Sequence, residues 1–273
     1  MRKLHLLLLA LILTFSVIAQ DEKPIEEKQY LPQAGSIAIG IDGGPIFDYL
    51  GNMFNGTINN GLNFNENTLY FRYYIADDAA IRAVLSINNS TNVNRFNIRD
   101  DAAFFADPLT GNELEDVQTI KNRDMMLRIG YQGFKGYKRL LGFYGADIGF
   151  RYERAKTAYE YGNQMTVLNP APTTHWGSLA TRDLELNNGA KKTISLGAFT
   201  GAEYYFMPGF CIGGEFGLSY GASFTGQTNS KEELIVGTVH VEREVAGNPG
   251  SRRTNLTTEF PYTYGSLYFM IHF

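Results

Sequence analysis

The sequence predicts an all-β protein: an eight-stranded antiparallel up-and-down transmembrane β-barrel with long extracellular loops. Three observations lead there. Apolar and small or polar residues alternate with a period of two in eight segments. The connections between those segments are short and long in turn. The sequence closes on SLYFMIHF, a strand pattern whose last residue is Phe273.

The start of the chain is expected to direct export. Arg2 and Lys3 precede the apolar run LHLLLLALILTFSVIA, which meets the polar QDEKPIEEK directly. A basic start, a leucine-rich middle and small residues at Val17 and Ala19 read as a secretory signal peptide over 1–19, cut after Ala19. The run is short for a helical bilayer span. Residues 20–34, charged and Pro-containing, are expected to form a flexible periplasmic arm, and 35–273 the barrel.

Composition agrees. The 29 Gly, 19 Phe and 17 Tyr suit strands better than helices. Cys211 is the single cysteine, so no intrachain disulfide and no cysteine-built metal site is expected. A net charge of −4 argues against nucleic acid as a partner.

The strands follow in order. The first spans 35–49, GSIAIGIDGGPIFDY. The second, 68–75, sets Leu69, Phe71, Tyr73 and Ile75 on one side. The third, 80–88, does the same with Ile81, Ala83, Leu85 and Ile87. The fourth, 123–132, uses Met125, Leu127, Ile129 and Tyr131. The fifth, 139–153, uses Tyr144, Ala146, Ile148, Phe150 and Tyr152. The sixth, 192–205, uses Ile194, Leu196, Ala198 and Tyr204. In the seventh, 210–224, Ile212, Phe216, Leu218 and Tyr220 alternate with Cys211, Gly213, Glu215 and Gly217. The eighth is the C-terminal stretch.

ADD joins strands two and three, GFKGYK joins four and five, and FMPG joins six and seven, all read as tight turns. The other connections, about 51–67, 89–122, 154–191 and 225–262, are long and polar. Short turns at one end and long loops at the other fit a bacterial outer-membrane barrel with both termini in the periplasm. A ten-stranded version requires 233–245 and a neighbouring loop segment to enter the membrane, which Glu232, Glu233, Glu242, Arg243 and Glu244 oppose.

The last strand is expected to pair with the first, because an open edge in lipid leaves backbone groups unsatisfied. The alternation of Leu267, Phe269, Ile271 and Phe273 resembles the assembly signal of bacterial outer-membrane β-barrel proteins. YLPQAGSIAIGIDGGPIFDYLGNMFNG and LYFRYYIADDAAIRA resemble small outer-membrane proteins of Bacteroidetes-type bacteria. The resemblance implies outer-membrane lipid and the barrel-assembly machinery as partners, the latter through the C-terminal strand. It implies no activity.

Inward positions carry charge. Asp42, Arg72, Arg82, Arg128, Glu203 and Glu215 are expected at one level near the bilayer midplane, with Asp147, Arg151 and Glu153 higher. Eight strands enclose an interior that side chains fill. The expectation is a neutral Arg–carboxylate network that closes the lumen, with Arg128 and Glu215 as members. The alternative is a narrow porin-like channel, for which the inward glycines of strands six and seven leave space.

Other chemistry is thinner. His240 shares a face with Glu242 and Glu244, and His175 precedes Trp176, the only tryptophan. A lipid-modifying enzyme is the weaker alternative; a solvated hairpin and loop packing are the plainer readings. Asp107, Glu113, Glu115 and Asp116 match no EF-hand spacing and read as an acidic loop. The expected protein has no cofactor or metal and is not an enzyme. Its loops meet an extracellular ligand that the sequence does not identify.

Overall fold

The protein's structure, a computed structural model, describes residues 30–44, 46, 67–257 and 266–273, without the side chains of 67 and 254–257. The expected signal peptide, most of the expected arm and the end of the expected first strand lie outside them.

Among the described residues, twelve strands form one antiparallel sheet. In chain order they are β1 (Ile37–Asp42), β2 (Asn67–Ala76), β3 (Ala79–Arg99), β4 (Glu113–Tyr137), β5 (Leu140–Glu160), β6 (Thr181–Asn187), β7 (Lys191–Met207), β8 (Phe210–Thr225), β9 (Asn229–Val236), β10 (Val239–Ala246), β11 (Ser251–Thr257) and β12 (Ser266–His272). A short helix, α1 (Asp101–Ala106), caps the β3–β4 hairpin.

Eight of these strands close a ring. β1 pairs with β2, β2 with β3, β3 with β4, β4 with β5, β5 with β7, β7 with β8, β8 with β12, and β12 with β1. These are the eight segments expected from the sequence. β9 and β10 stay out of the ring, so the ten-stranded version is not formed. The seam holds to the last residue: the Phe273 N–H donates to the Ile37 carbonyl at 2.8 Å, and the Ile37 N–H donates back at 3.1 Å. A closed ring leaves no unpaired edge at the level of the seam.

The exterior is apolar. Ile39, Phe71, Leu127, Ile148, Leu196 and Leu218 all point outward and are exposed. A soluble barrel buries such residues in a core; here the alternation is inverted. Tyr73, Tyr131, Tyr144 and Tyr204 ring the short-turn end, and Tyr220 and Phe224 stand near the other. An apolar outer band with a girdle of aromatic residues at one end matches the exterior of a membrane barrel.

The turns are tighter than the sequence reading. Asp77-Asp78, Lys138-Arg139 and Pro208-Gly209 are the whole of the three short connections. The expected GFKGYK turn is a correction: β4 continues through Tyr137, because Lys138 takes a φ of 55° and closes the hairpin in two residues. Gly209, at φ 74°, does the same for β7–β8 without a side-chain penalty.

The long connections are corrected too. Of 89–122, most is ladder: β3 and β4 stay paired from Ala79↔Gly133 to Arg99↔Glu113. β6, β9 and β10 extend β5 as a side sheet in the order β10-β9-β6-β5. β11 pairs with 219–225 of β8 and β12 with 210–215, so the two lie end to end along one edge. Residues 30–34, the close of the expected arm, sit on the barrel rim. Arg139 stacks on the Tyr30 ring at 3.8 Å, Pro32 is buried, and the Ala34 N–H donates to Asp77 Oδ1 at 2.9 Å.

Candidate functional site

The lumen is built by the inward residue of each alternation. On β2 these are Tyr70, Arg72 and Tyr74; on β3, Arg82 and Val84; on β7, Phe199, Glu203 and Tyr205; on β8, Cys211 and Glu215; on β12, Tyr268 and Met270. All are buried.

Two ion-pair groups occupy it. Arg72 Nη1 binds Glu203 Oε1, and Arg72 Nη2 donates to the Tyr268 hydroxyl at 2.9 Å. The Tyr268 hydroxyl in turn donates to Glu203 Oε1, and Tyr205 donates to Glu203 Oε2 at 2.9 Å. Both carboxylate oxygens are thus served. In the second group Arg82 bridges two carboxylates, Glu215 at 2.5 Å and Asp147 at 2.8 Å. Every one of these ionised side chains is at most 3% exposed. Charges this deep require partners, since desolvation costs several kcal/mol per ion, of order, without them.

Aromatic rings complete the layer. Arg72 lies 5.3 Å from the Tyr268 ring centroid, 5.6 Å from Phe134 and 5.8 Å from Phe143. Arg82 lies over Phe199 at 3.4 Å. Below them Tyr74 stacks on Phe134 at 5.5 Å, and Tyr74 and Tyr205 both meet His272. Sequence reasoning missed these rings. In LYFRYY aromatics occupy both faces, so the inward Tyr70 and Tyr74 are masked by the outward Phe71 and Tyr73.

The inward glycines are the sockets of this packing. Phe143 faces Gly201, Phe199 faces Gly145, and Asp147 faces Gly197, each directly across a strand pair. Tyr268 faces Gly213. A methyl at any of the four positions would meet the facing side chain well inside contact distance. The space that the sequence reading left for a channel beside strands six and seven is occupied at Gly197, Gly201 and Gly213.

Not all the expected members meet. Arg128 is buried but makes no ion pair among the described residues; its stem passes over Gly149. Glu215 binds Arg82 and not Arg128, because strand tilt and stagger decide what meets across a lumen. Arg151 is higher and half exposed, held by Asp124 and, at 3.8 Å, by Glu153. Asp42 lies opposite Tyr268 across β1 and β12, and its Oδ1 accepts from the Gly44 N–H at 3.0 Å. Of the six expected at one level, Arg72, Arg82, Glu203 and Glu215 lie in the two buried groups, together with Asp147, whose expected place is higher. Of the C-terminal set, Leu267 and Ile271 face outward, Phe269 is half-buried and Phe273 is exposed.

Above this layer the lumen opens into a polar cup of about 480 Å³, walled by Asn88, Ser90, Asn122, Asp124, Glu153 and Lys191. Beyond the cup, the long connections pack on each other. His175 stacks on Phe96 at 3.7 Å. Trp176 sets its edge against Phe96, Tyr159 and Tyr161. Asp116, fully buried, accepts from the Gly162 and His175 N–H groups. Glu115 pairs with Arg95 and Glu113 accepts from Asn97, so the acidic loop is taken up by its own fold. His240 Nε2 lies 2.7 Å from Glu233 Oε2, and Glu233 is also held by Arg182 at 2.5 Å.

No family model and no curated protein sequence matches the chain. Among solved structures it is similar to the crystal structure of the outer membrane protein OprG from Pseudomonas aeruginosa, with 10% identity over 89% of this chain and 98% of that chain, at a TM-score of 0.31. A likeness that loose bears on neither fold nor activity; the barrel rests on the strand registers given above.

Proposed function

We propose that this chain is a non-enzymatic outer-membrane barrel whose lumen does not conduct, and that it anchors a β-structured surface for binding an extracellular partner. One observation carries the reading: Arg72 and Arg82, deep in the lumen, are matched to Glu203, Glu215 and Asp147 within a packing of rings. A hydrated pore lined by free charge passes ions; charges paired in a dry layer hold one another and exclude water.

The inverted exterior and the aromatic girdle at the short-turn end support membrane insertion. The short turns then face the periplasm and the hairpins face outward, with both ends of the barrel segment on the periplasmic side. The resemblance of 30–56 and 69–83 to small Bacteroidetes-type outer-membrane proteins agrees with that orientation. A gated path for small solutes is the second reading, favoured by the polar cup above the charge layer.

Conductance across a planar bilayer tests the choice. Silence from barrel whose insertion is verified by heat-modifiable migration is the expected result. Discrete, reproducible current steps would replace the closed barrel with the gated one.

A further inference from the structure

Outward residues of β4 and β5 run upward in register as Leu127↔Phe150, Met125↔Tyr152, Arg123↔Arg154 and Lys121↔Lys156. The first two pairs belong to the apolar wall. The next two place four cations directly opposite one another, two by two, on the same face. Like charges facing across a strand pair destabilise it. β3 offers no relief, since Arg123 and Lys121 face Asn89 and Thr91 there.

Lys156 is held by Glu185 at 2.6 Å. Among the described residues no ion pair reaches Lys121, Arg123 or Arg154, and all three are exposed. Asp124 and Glu153, their chain neighbours, point to the other face and bind Arg151 and Lys191. Glu244 adjoins Arg154 across a shallow cavity, so the uncompensated charge concentrates on Arg123 and Lys121. Lys192, opposite Tyr152 on β7, adds a further exposed cation at the top of the apolar wall.

We infer that this wall binds a phosphorylated glycolipid of the surface leaflet. Its phosphates lie on Arg123, Arg154 and Lys121, and its acyl chains on Met125, Tyr152, Leu127 and Phe150. A guanidinium presents a planar fork that matches phosphate oxygens in pairs. The cations stand one register step above the lipid-facing residues, where acyl chains end and headgroups begin. A soluble anion would gain nothing from the apolar rows beneath. The inference rests on the orientation proposed above, with the long connections facing outward.

The test uses the full chain folded in detergent, titrated with bisphosphorylated lipid A and with its dephosphorylated form, binding being read by native mass spectrometry. Arg123→Ala/Arg154→Ala should weaken lipid A binding about tenfold, the scale of a lost charge-assisted contact. It should leave binding of the dephosphorylated form unchanged. Lys135→Ala/Lys138→Ala, an equal loss of charge at the short-turn end, should change neither. Equal lipid A affinity in wild type and the arginine variant, or an equal loss from the lysine control, overturns the site. Vesicle flotation and heat-modifiable migration of each variant come first. Failure of the wild type to insert would sink the membrane reading itself, and the site with it; insertion with unaltered lipid A affinity sinks the site alone.

Discussion

Arg72 and Arg82 stand directly opposite each other on β2 and β3, yet their guanidinium groups part. Arg72 turns to Glu203 on β7, and Arg82 to Glu215 on β8 and Asp147 on β5. Two like charges in adjacent positions are thereby held apart by three carboxylates drawn from three other strands. The closed ring is what brings those strands within reach.

Removing Arg82 should be costly. Arg82→Ala leaves Glu215 and Asp147 buried together without a cation, for a loss of about 3–5 kcal/mol. Urea unfolding of barrel refolded into vesicles measures it. Arg128→Ala breaks no ion pair and should cost about 1 kcal/mol or less. If the two variants lose equally, the pairing described here is wrong.

The ring-and-socket packing has its own test. Gly213→Ala drives a methyl into the Tyr268 ring and should destabilise the barrel by about 1–3 kcal/mol. Tyr268→Leu in the same chain makes room, so the double variant should lose less than the two single losses added. Strict additivity would mean that the ring and the glycine do not bear on each other.

How much of this was legible in advance follows from what alternation encodes. Ile194, Leu196 and Ala198 against Thr193, Ser195 and Gly197 announce both a strand and its outward face, so the barrel strands are readable one by one. The upper ladder is not. In NNSTNVNRF both faces are polar, because both meet water, and the period that marks a strand disappears although pairing continues. Lumen partners are harder still. Level can be counted along a strand, which put Arg128 and Glu215 in one layer, but which side chains meet across the interior depends on tilt and on how far each ring reaches.

The helix α1 should respond to acid. Burial alone would raise the Asp101 carboxyl, but hydrogen bonds from the Thr173 N–H, the Asn169 amide and Arg99 outweigh it and hold it below its usual 3.8. A value depressed by folding gives stability that is full above the unfolded value and is lost as pH falls through the folded one. Limited proteolysis between α1 and Thr173 should therefore stay slow at neutral pH and accelerate well below pH 3.8. Asp101→Asn should cleave at a rate nearly independent of pH over that window; a wild-type-like acid response in that variant would remove Asp101 from the account.

Trp176, being the only tryptophan, reports on the surface alone. Its ring edge rests on Phe96, Tyr159 and Tyr161. Phe96→Ala should shift its emission to longer wavelength by admitting water, while heat-modifiable migration of the barrel stays as in wild type. An unmoved spectrum would show that Phe96 does not shelter it.

The unbroken pairing of β3 with β4, from Ala79↔Gly133 at the short-turn end to Arg99↔Glu113 beneath α1, also has a mechanical meaning. The strands that carry the surface cluster are the strands that cross the apolar band. A tether pulling outward at α1 has no slack segment to straighten and no separate domain to tear away. Its load runs along the strand axes and is shared by many ladder bonds at once, as a lap joint shares it along its whole overlap. A load applied at α1 is thus carried into the ring by the whole β3–β4 ladder rather than by any single bond.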